Sequence, residues 1–276
     1  MDGRPEACTT MEVPVDSLDD PRLAPYRDLK DRELAREGDR FIAESEQVVR
    51  RLLDSDYPTE SLLLARRRAE EIAPLAPPNV PVYVVDDAMM HRVVGFKFHS
   101  GVIAVGRRKP TPSVGEFISA AAGRPRLTLV VLPEVANTEN MGSLVRIGAA
   151  FGADALVLGR HCCDPFWRQS VRVSMGTVFS LPLLRSNDLL SDLRVLRDEG
   201  GVELAAAVVG EGAESLAAAR RGGRLALLFG NEAQGLGEDY VSACDRRVTI
   251  PMRLGTDSLN VAVAAAVFLY HFTKEA

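Results

Sequence analysis

The first half of the chain alternates between short apolar runs and segments with helical spacing. Apolar runs occupy residues 41–45, 61–65, 80–86 and 101–106. Residues 29–37, before the first run, and residues 47–55 and 66–72, between runs, carry charged side chains at helical intervals. Short apolar runs are typical of strands and the 3.6-residue period is typical of helices. Residues 22–106 are therefore predicted to form a small α/β domain.

The alternation restarts at residue 127 with longer and more apolar runs. These runs read as buried strands and lie at 127–132, 155–159, 178–184, 202–209, 225–229 and 247–250. Helical segments are predicted near 142–151, 188–199, 235–243 and 258–272. Buried strands separated by helices indicate a mostly parallel sheet that is covered on both faces.

Two stretches lack this alternation. Residues 1–21 are polar and contain Pro5, Pro14 and Pro21, which predicts a flexible tail. Residues 107–126 combine prolines, glycines and basic side chains, which predicts a linker with one short helix.

Composition narrows the class of protein. The longest apolar run, residues 261–270, is too short to span a bilayer, so no membrane association is expected. The four cysteines, Cys8, Cys162, Cys163 and Cys244, form no C-x-x-C pair. This usage predicts a reducing, cytoplasmic location. Because no second thiol pair exists to complete a ligand set, no metal is expected at Cys162 and Cys163.

Charge leaves the type of partner open. The net charge is −5, yet basic clusters occur at 66–68, at 107–109 and at Arg124 with Arg126. Such clusters either solvate exposed helix and linker faces or form local patches for phosphate groups.

Three polar loops follow predicted strands, where open α/β sheets bind their ligands. The first contains Asn140, Gly142 and Arg146 in the pattern N-x-G-x-x-x-R. Asn140 is predicted to cap the following helix, and Gly142 and Arg146 would then share one helix face. Taken alone, the pattern also fits a capped helix with a surface arginine.

The second loop, LFGNEAQGLG at 228–237, contains Gly230 and Glu232, and its glycines allow the backbone to approach a ligand closely. It has neither G-x-G-x-x-G nor G-K-[ST], which argues against a dinucleotide-dependent oxidoreductase and a nucleoside triphosphatase. The third loop precedes the last helix, which Asp257 or Ser258 is predicted to cap.

In order and spacing, the three loops resemble the three sequence motifs of the SpoU (TrmH-like) RNA 2′-O-ribose methyltransferases of the SPOUT superfamily. The resemblance covers residues 127–276, and RQSVRVSMGTVFSLPL at 168–183 is similar to the stretch between the first two motifs. Residues 22–106 more weakly resemble the substrate-binding domain that often precedes this fold. One departure is Ala136-Asn137-Thr138, where the family often has Asp-Pro.

The resemblance implies a deep trefoil knot and S-adenosyl-L-methionine as the methyl donor. Implied catalytic residues are Arg146, Asn140, Glu232, Ser258 and Asn260; implied cofactor-binding residues are Gly230, Ile250, Met252, Ser258 and Leu259.

It also implies a homodimer that methylates a ribose 2′-hydroxyl of ribosomal or transfer RNA. Arg146 would be the general base or would bind an RNA phosphate, since an arginine pKa of roughly 12.5–13.8 is unfavourable for a base. A chain without residues 1–106 is expected to lose RNA affinity but to keep cofactor binding. The alternatives are a non-catalytic RNA-binding or assembly protein with the same fold, or a relative that methylates a base.

Overall fold

The computed structural model describes residues 12–29, 38–210, 212–231, 234–253 and 258–274. Apart from Leu29, the helix predicted at 29–37 lies outside these residues. So do the predicted site residue Glu232 and the candidate cap Asp257.

In these residues the strands are β1 (Glu12–Pro14), β2 (Arg40–Glu44), β3 (Thr59–Ala65), β4 (Val82–Val85), β5 (Val102–Arg107), β6 (Leu127–Leu132), β7 (Ala155–Leu158), β8 (Leu183–Arg185), β9 (Glu203–Ala207), β10 (Glu214–Ser215), β11 (Arg224–Leu228) and β12 (Arg246–Thr249). The α-helices are α1 (Glu46–Leu53), α2 (Arg66–Ile72), α3 (Asp87–Val94), α4 (Val114–Ala120), α5 (Thr138–Ala150), α6 (Arg168–Val173), α7 (Leu189–Arg194), α8 (Glu238–Ala243) and α9 (Val261–Thr273). None of these helices has the length and apolar character that a membrane span requires.

The chain folds into two compact units. The N-terminal unit contains Met1–Lys109 and Phe166–Phe179, and the C-terminal unit contains Pro110–Pro165 and Ser180–Ala276. The chain therefore passes between the units three times. This division differs from the predicted one, in which a single linker at 107–126 separated two continuous domains.

The C-terminal unit is built on a parallel sheet, as predicted. Its seven strands lie in the order β10-β12-β9-β11-β6-β7-β8, and every neighbouring pair is parallel. All six residues of β6 are buried, because this strand lies inside the sheet with both faces covered. The carboxyl ends of all seven strands consequently meet at one edge.

Residues 110–126, most of the predicted linker, belong to this unit. A capping box begins α4: the Ser113 side chain accepts from the Glu116 backbone N–H, and the Glu116 carboxylate accepts from the Ser113 backbone N–H. Val114 and Ile118 are buried in the same core as β6 and α7. The apolar residues of this short helix therefore pack into the core of the C-terminal unit.

The N-terminal unit has a mixed sheet in the order β1-β4-β3-β5-β2. Part of the predicted tail is the edge strand β1, which pairs in parallel with β4, and Val15 beyond it is buried. Pro14 is tolerated because it ends an edge strand. The Tyr26 hydroxyl, also buried, lies 2.6 Å from the Ser61 hydroxyl. Residues 12–21 are therefore part of the folded unit, contrary to the prediction of a tail.

Residues 166–179 pack with the N-terminal unit although they follow the first motif. The ring centroids of Phe166 and Phe179 lie 5.1 Å and 5.3 Å from that of the buried Phe41. The Arg168 guanidinium donates to the Glu44 carboxylate at 2.5 Å, with both side chains largely buried. These contacts tie the segment to β2.

The strand predicted at 178–184 is wrong in its first half. Residues Thr177–Phe179 form a 3-10 turn in the N-terminal unit, and β8 begins only at Leu183. Pro182 separates the two, since proline lacks the N–H that a strand interior requires.

We expect Phe166→Ala to destabilise the protein by about 3 kcal/mol, because removal of a buried ring leaves a cavity beside Phe41. Chemical denaturation would measure the change, with Leu75→Ala as a control because Leu75 is 43% exposed. Equal stabilities of the two variants would contradict the packing described here.

The packing also changes the expectation for a chain without residues 1–106. Such a chain would lose Phe41 and Glu44, and so would leave Phe166, Phe179 and Arg168 without the partners described above. Truncation therefore cannot isolate the role of the N-terminal unit in RNA selection, and that role stays a prediction.

Candidate functional site

A cleft of about 470 Å³ opens at the carboxyl edge of the parallel sheet in the C-terminal unit. The ends of β9, β11 and β12 and the start of α9 form its walls. The lining includes all five residues predicted to bind the cofactor: Gly230, Ile250, Met252, Ser258 and Leu259. Residues that are up to 29 positions apart in the sequence thus share one cavity.

One wall of the cleft is a glycine-containing loop whose two ends are joined by backbone hydrogen bonds. Asn231 and Gly235 exchange two backbone hydrogen bonds of 3.0 Å and 2.9 Å, and Gly235 has a φ of +70°. A Cβ placed on Gly230 would lie 2.1 Å from the backbone C of Gly235 and the N of Leu236. Only glycine fits at position 230, so this wall presents main chain to a ligand.

The floor of the cleft is aromatic. The ring of Phe229, directly after β11, meets the ring of Phe268 on α9 edge to face with centroids 5.5 Å apart. Both side chains are only 2% exposed, so the two rings support the cleft from within the core. The described lining also contains one exposed ion pair, Glu238 with Arg247 at 3.5 Å.

The first motif begins α5, but its cap differs from the predicted one. The Asn137 side chain caps the helix, and its Oδ1 accepts from the backbone N–H of Glu139 and of Asn140. Asn140 lies in the first turn and does not cap the helix, contrary to the prediction. Its side chain is thereby available for a tertiary contact.

The third motif begins α9 in the same way. Asn260 caps this helix, rather than Asp257 or Ser258 as predicted, and its Oδ1 accepts from the backbone N–H of Ala262 at 2.9 Å. The Asn260 Nδ2 donates to the Asn140 Oδ1 at 2.9 Å. One side chain therefore caps α9 and also binds α5, which joins the first and third motifs.

The two helices run parallel to each other. They begin at the Asn140–Asn260 hydrogen bond, and towards their other ends Phe151 and Tyr270 meet edge to face at 6.3 Å. Arg146 lies six residues after Asn140, which is about 9 Å along the helix axis. Its side chain is exposed and makes no hydrogen bond or ion pair with any described residue.

The structure thus unites the predicted residues only in part. Asn140 and Asn260 touch, and Ser258 lies at the mouth of the cleft. Arg146 is on the neighbouring helix and is not part of the cleft lining. The sequence analysis missed the aromatic floor, because Phe229 and Phe268 lie in apolar runs that look like ordinary core.

The adjacent cysteines are packing residues. Burial raises the pKa of Cys162 to about 11 and that of Cys163 to about 12, so both thiols stay protonated at neutral pH. The Cys162 thiol donates to the Leu132 carbonyl at 3.1 Å. No cluster of side chains suited to a metal ion occurs among the described residues.

Known proteins share this sequence and this fold. Residues 127–270, more than half of the chain, match the model of the SpoU rRNA Methylase family. A Mycobacterium tuberculosis protein named as an uncharacterized tRNA/rRNA methyltransferase is 40% identical over 264 residues, which cover 93% of this chain and 90% of that protein. A 23S rRNA (guanosine-2′-O-)-methyltransferase of Acinetobacter baylyi is 26% identical over 210 residues, which cover 76% of this chain and 85% of that protein.

The crystal structure of an AdoMet-bound rRNA methyltransferase from Sinorhizobium meliloti has a TM-score of 0.80 at 24% identity, and covers 94% of this chain and 97% of that one. The predicted fold class is confirmed: a mostly parallel α/β-knot fold accompanied by a small α/β unit. The chain belongs to the SpoU rRNA methylase family of RNA methyltransferases.

Proposed function

We propose that this protein transfers a methyl group from S-adenosyl-L-methionine to a ribose 2′-hydroxyl of ribosomal or transfer RNA. The observation that carries the proposal is the single cleft that contains Gly230, Ile250, Met252, Ser258 and Leu259, beside the helix that bears Arg146. The ribose specificity of the A. baylyi relative supports the ribose 2′-oxygen as the methyl acceptor, as does the N-x-G-x-x-x-R pattern of α5.

The cleft fits the methyl donor. The closed loop at Gly230 offers backbone groups for the polar edge of adenine, and Leu259, which is 36% exposed, offers apolar surface in the same cleft. The bound donor supplies an already activated methyl group, so the protein needs no metal for this step. Its remaining tasks are to orient the ribose oxygen and to accept a proton from it.

Arg146 is best suited to orienting the RNA. Its exposed guanidinium has no described partner, and a planar cation of this kind binds phosphate through two hydrogen bonds. The Asn140–Asn260 hydrogen bond fixes the start of α5 against the start of α9, next to Ser258 and Leu259 of the cleft. This arrangement fixes the position of α5, and with it the backbone of Arg146, relative to α9.

If the cleft binds the cofactor, a side-chain methyl group added at Gly230 should strongly reduce the affinity for S-adenosylmethionine. Gly230→Ala should weaken S-adenosylmethionine binding roughly tenfold or more, because the new Cβ would displace the backbone at Gly235 and Leu236. Isothermal titration calorimetry would measure the affinity.

Gly237→Ala is the matched control in the same loop, since its Cβ would make only an ordinary 3.6 Å contact with Tyr240. If the folded wild-type protein does not bind S-adenosylmethionine with or without RNA, the alternative holds: an RNA-binding or assembly protein that has kept the fold.

Two substitutions at Arg146 test its role. Arg146→Ala should lower methyl transfer by about 100-fold or more while cofactor affinity stays unchanged. Arg146→Lys keeps the charge but cannot form two parallel hydrogen bonds to one phosphate. The rate of transfer should therefore fall, while its dependence on pH stays unchanged. The control is Arg194→Ala, another exposed arginine of the same unit.

A general base would behave differently. The ordinary pKa of lysine, about 10.4, lies below that of arginine, so a lysine base would move the pH–rate profile to lower pH. Such a displacement would contradict the orienting role. Mass-spectrometric mapping of ribose methylation in cells with and without the gene would identify the target, and an unchanged map would contradict the proposed reaction.

We further propose that the protein acts as a homodimer through α9. Val263, Val267 and Tyr270 recur every three or four residues along α9 and are between 39% and 60% exposed, which forms a stripe on one helix face. Leu259, which is 36% exposed, lies just before the helix. Val263→Glu with Val267→Glu should convert a dimer into a monomer in sedimentation analysis, whereas Leu75→Glu in the other unit should not. A monomeric wild-type protein would refute this assignment.

A further inference from the structure

A second cleft lies at the opposite edge of the parallel sheet. It has a volume of about 520 Å³ and is found where β6 and β7 begin, whereas the first cleft is found where strands end. Four cationic side chains and one acidic side chain line it: Arg124, Arg126, Arg221, Lys274 and Asp154. We call this the cationic cleft.

The one acidic residue of the cationic cleft is already fully engaged. The Asp154 Oδ1 forms an ion pair with Arg124, and its Oδ2 accepts a 2.7 Å hydrogen bond from the Thr128 backbone N–H. Asp154 therefore balances Arg124 and leaves the other three cations without a carboxylate.

Arg221 adds a fixed charge and forms no ion pair with a described carboxylate. Its guanidinium donates to neutral oxygens, among them the carbonyls of Leu127 and Gly223 and the Thr128 hydroxyl, at 2.9–3.1 Å. Burial and then the nearby charge of Arg126 lower the pKa of Arg221, and the carboxylates of Asp154 and Glu203 offset only part of this effect. Arg221 is thus a structural residue that leaves the cleft positive.

Arg126 and Lys274 complete the charge imbalance. Both side chains are exposed, and neither makes an ion pair or side-chain hydrogen bond with a described residue. An unbalanced group of three cations in a chain of net charge −5 is a local concentration of positive potential. Such a concentration attracts anions and is relieved when one binds.

The cleft also continues the surface on which Arg146 lies. Ala150 lines the cationic cleft and is four residues after Arg146, so the two residues share one face of α5. A strand of nucleic acid placed at Arg146 would run along this face of α5 to Arg126 and Lys274.

We propose that the cationic cleft binds the phosphodiester backbone of the RNA substrate, with Arg126 and Lys274 as the contacting residues. This inference rests on the proposed function and adds to it a second contact for the RNA strand, at the far end of α5 from the first motif. The contact recognises phosphate and carries no sequence information.

Charge reversal tests the proposal. Arg126→Glu and Lys274→Glu should each weaken binding of 23S rRNA transcribed in vitro roughly three- to tenfold, and should lower the slope of log affinity against log salt by about one. Arg194→Glu is the matched control, because it removes the same charge from an exposed position of the same unit. Affinity for S-adenosylmethionine and the melting temperature should stay unchanged in all three variants.

The outcomes separate this inference from the proposed function. If the wild-type protein methylates RNA but both variants bind RNA with wild-type affinity and salt slope, the cationic cleft is not an RNA contact. An equal effect of Arg194→Glu would overturn it as well, since the response would then reflect overall charge. Inorganic tripolyphosphate should compete with the RNA in the wild type; if it competes equally in both variants, it acts elsewhere and the assignment fails.

Discussion

The amide side chain of Asn260 is the contact on which the arrangement of the candidate site depends. Its oxygen caps α9 and its nitrogen binds Asn140 in the first turn of α5. A helix start leaves backbone N–H groups that need acceptors, so the cap stabilises α9 whatever lies nearby. The same side chain also hydrogen bonds to α5. The capping of α9 and the contact between the first and third motifs therefore depend on one residue.

Two surfaces meet near this contact, the cleft and the exposed faces of α5 and α9, and they present different chemical groups. The cleft offers mainly backbone and apolar groups, and its shape depends on Gly230, where no side chain fits. The faces of α5 and α9 instead offer exposed side chains: Arg146 on one helix and an apolar stripe on the other. A small neutral heterocycle suits the first surface, and a polyanion or a second protein suits the other.

The sequence predicts most of this fold because its strong patterns are local. The six apolar residues of β6 and the whole of α2 lie where hydrophobic periodicity places them. Capping is less predictable: Asn137 and Asn140 are both suitable caps, and only the three-dimensional start of the helix decides between them. The cofactor cleft could be predicted from motif resemblance, whereas its aromatic floor could not, since Phe268 has the pattern of any core residue.

The parts that prediction missed depend on distant contacts. Residues 12–15 lie in a segment, 1–21, that is mostly polar and contains three prolines, and only the edge of β4 gives them a strand partner. Residues 166–179 follow the first motif in the sequence, and only the contact with Phe41 assigns them to the N-terminal unit. This last feature has a consequence for synthesis on the ribosome. The ring of Phe41 gains its two phenylalanine neighbours only after the chain has grown to residue 179, so the N-terminal unit cannot complete its core as it emerges. The first part of the protein to be translated must therefore wait for residues 166–179 before its core is complete.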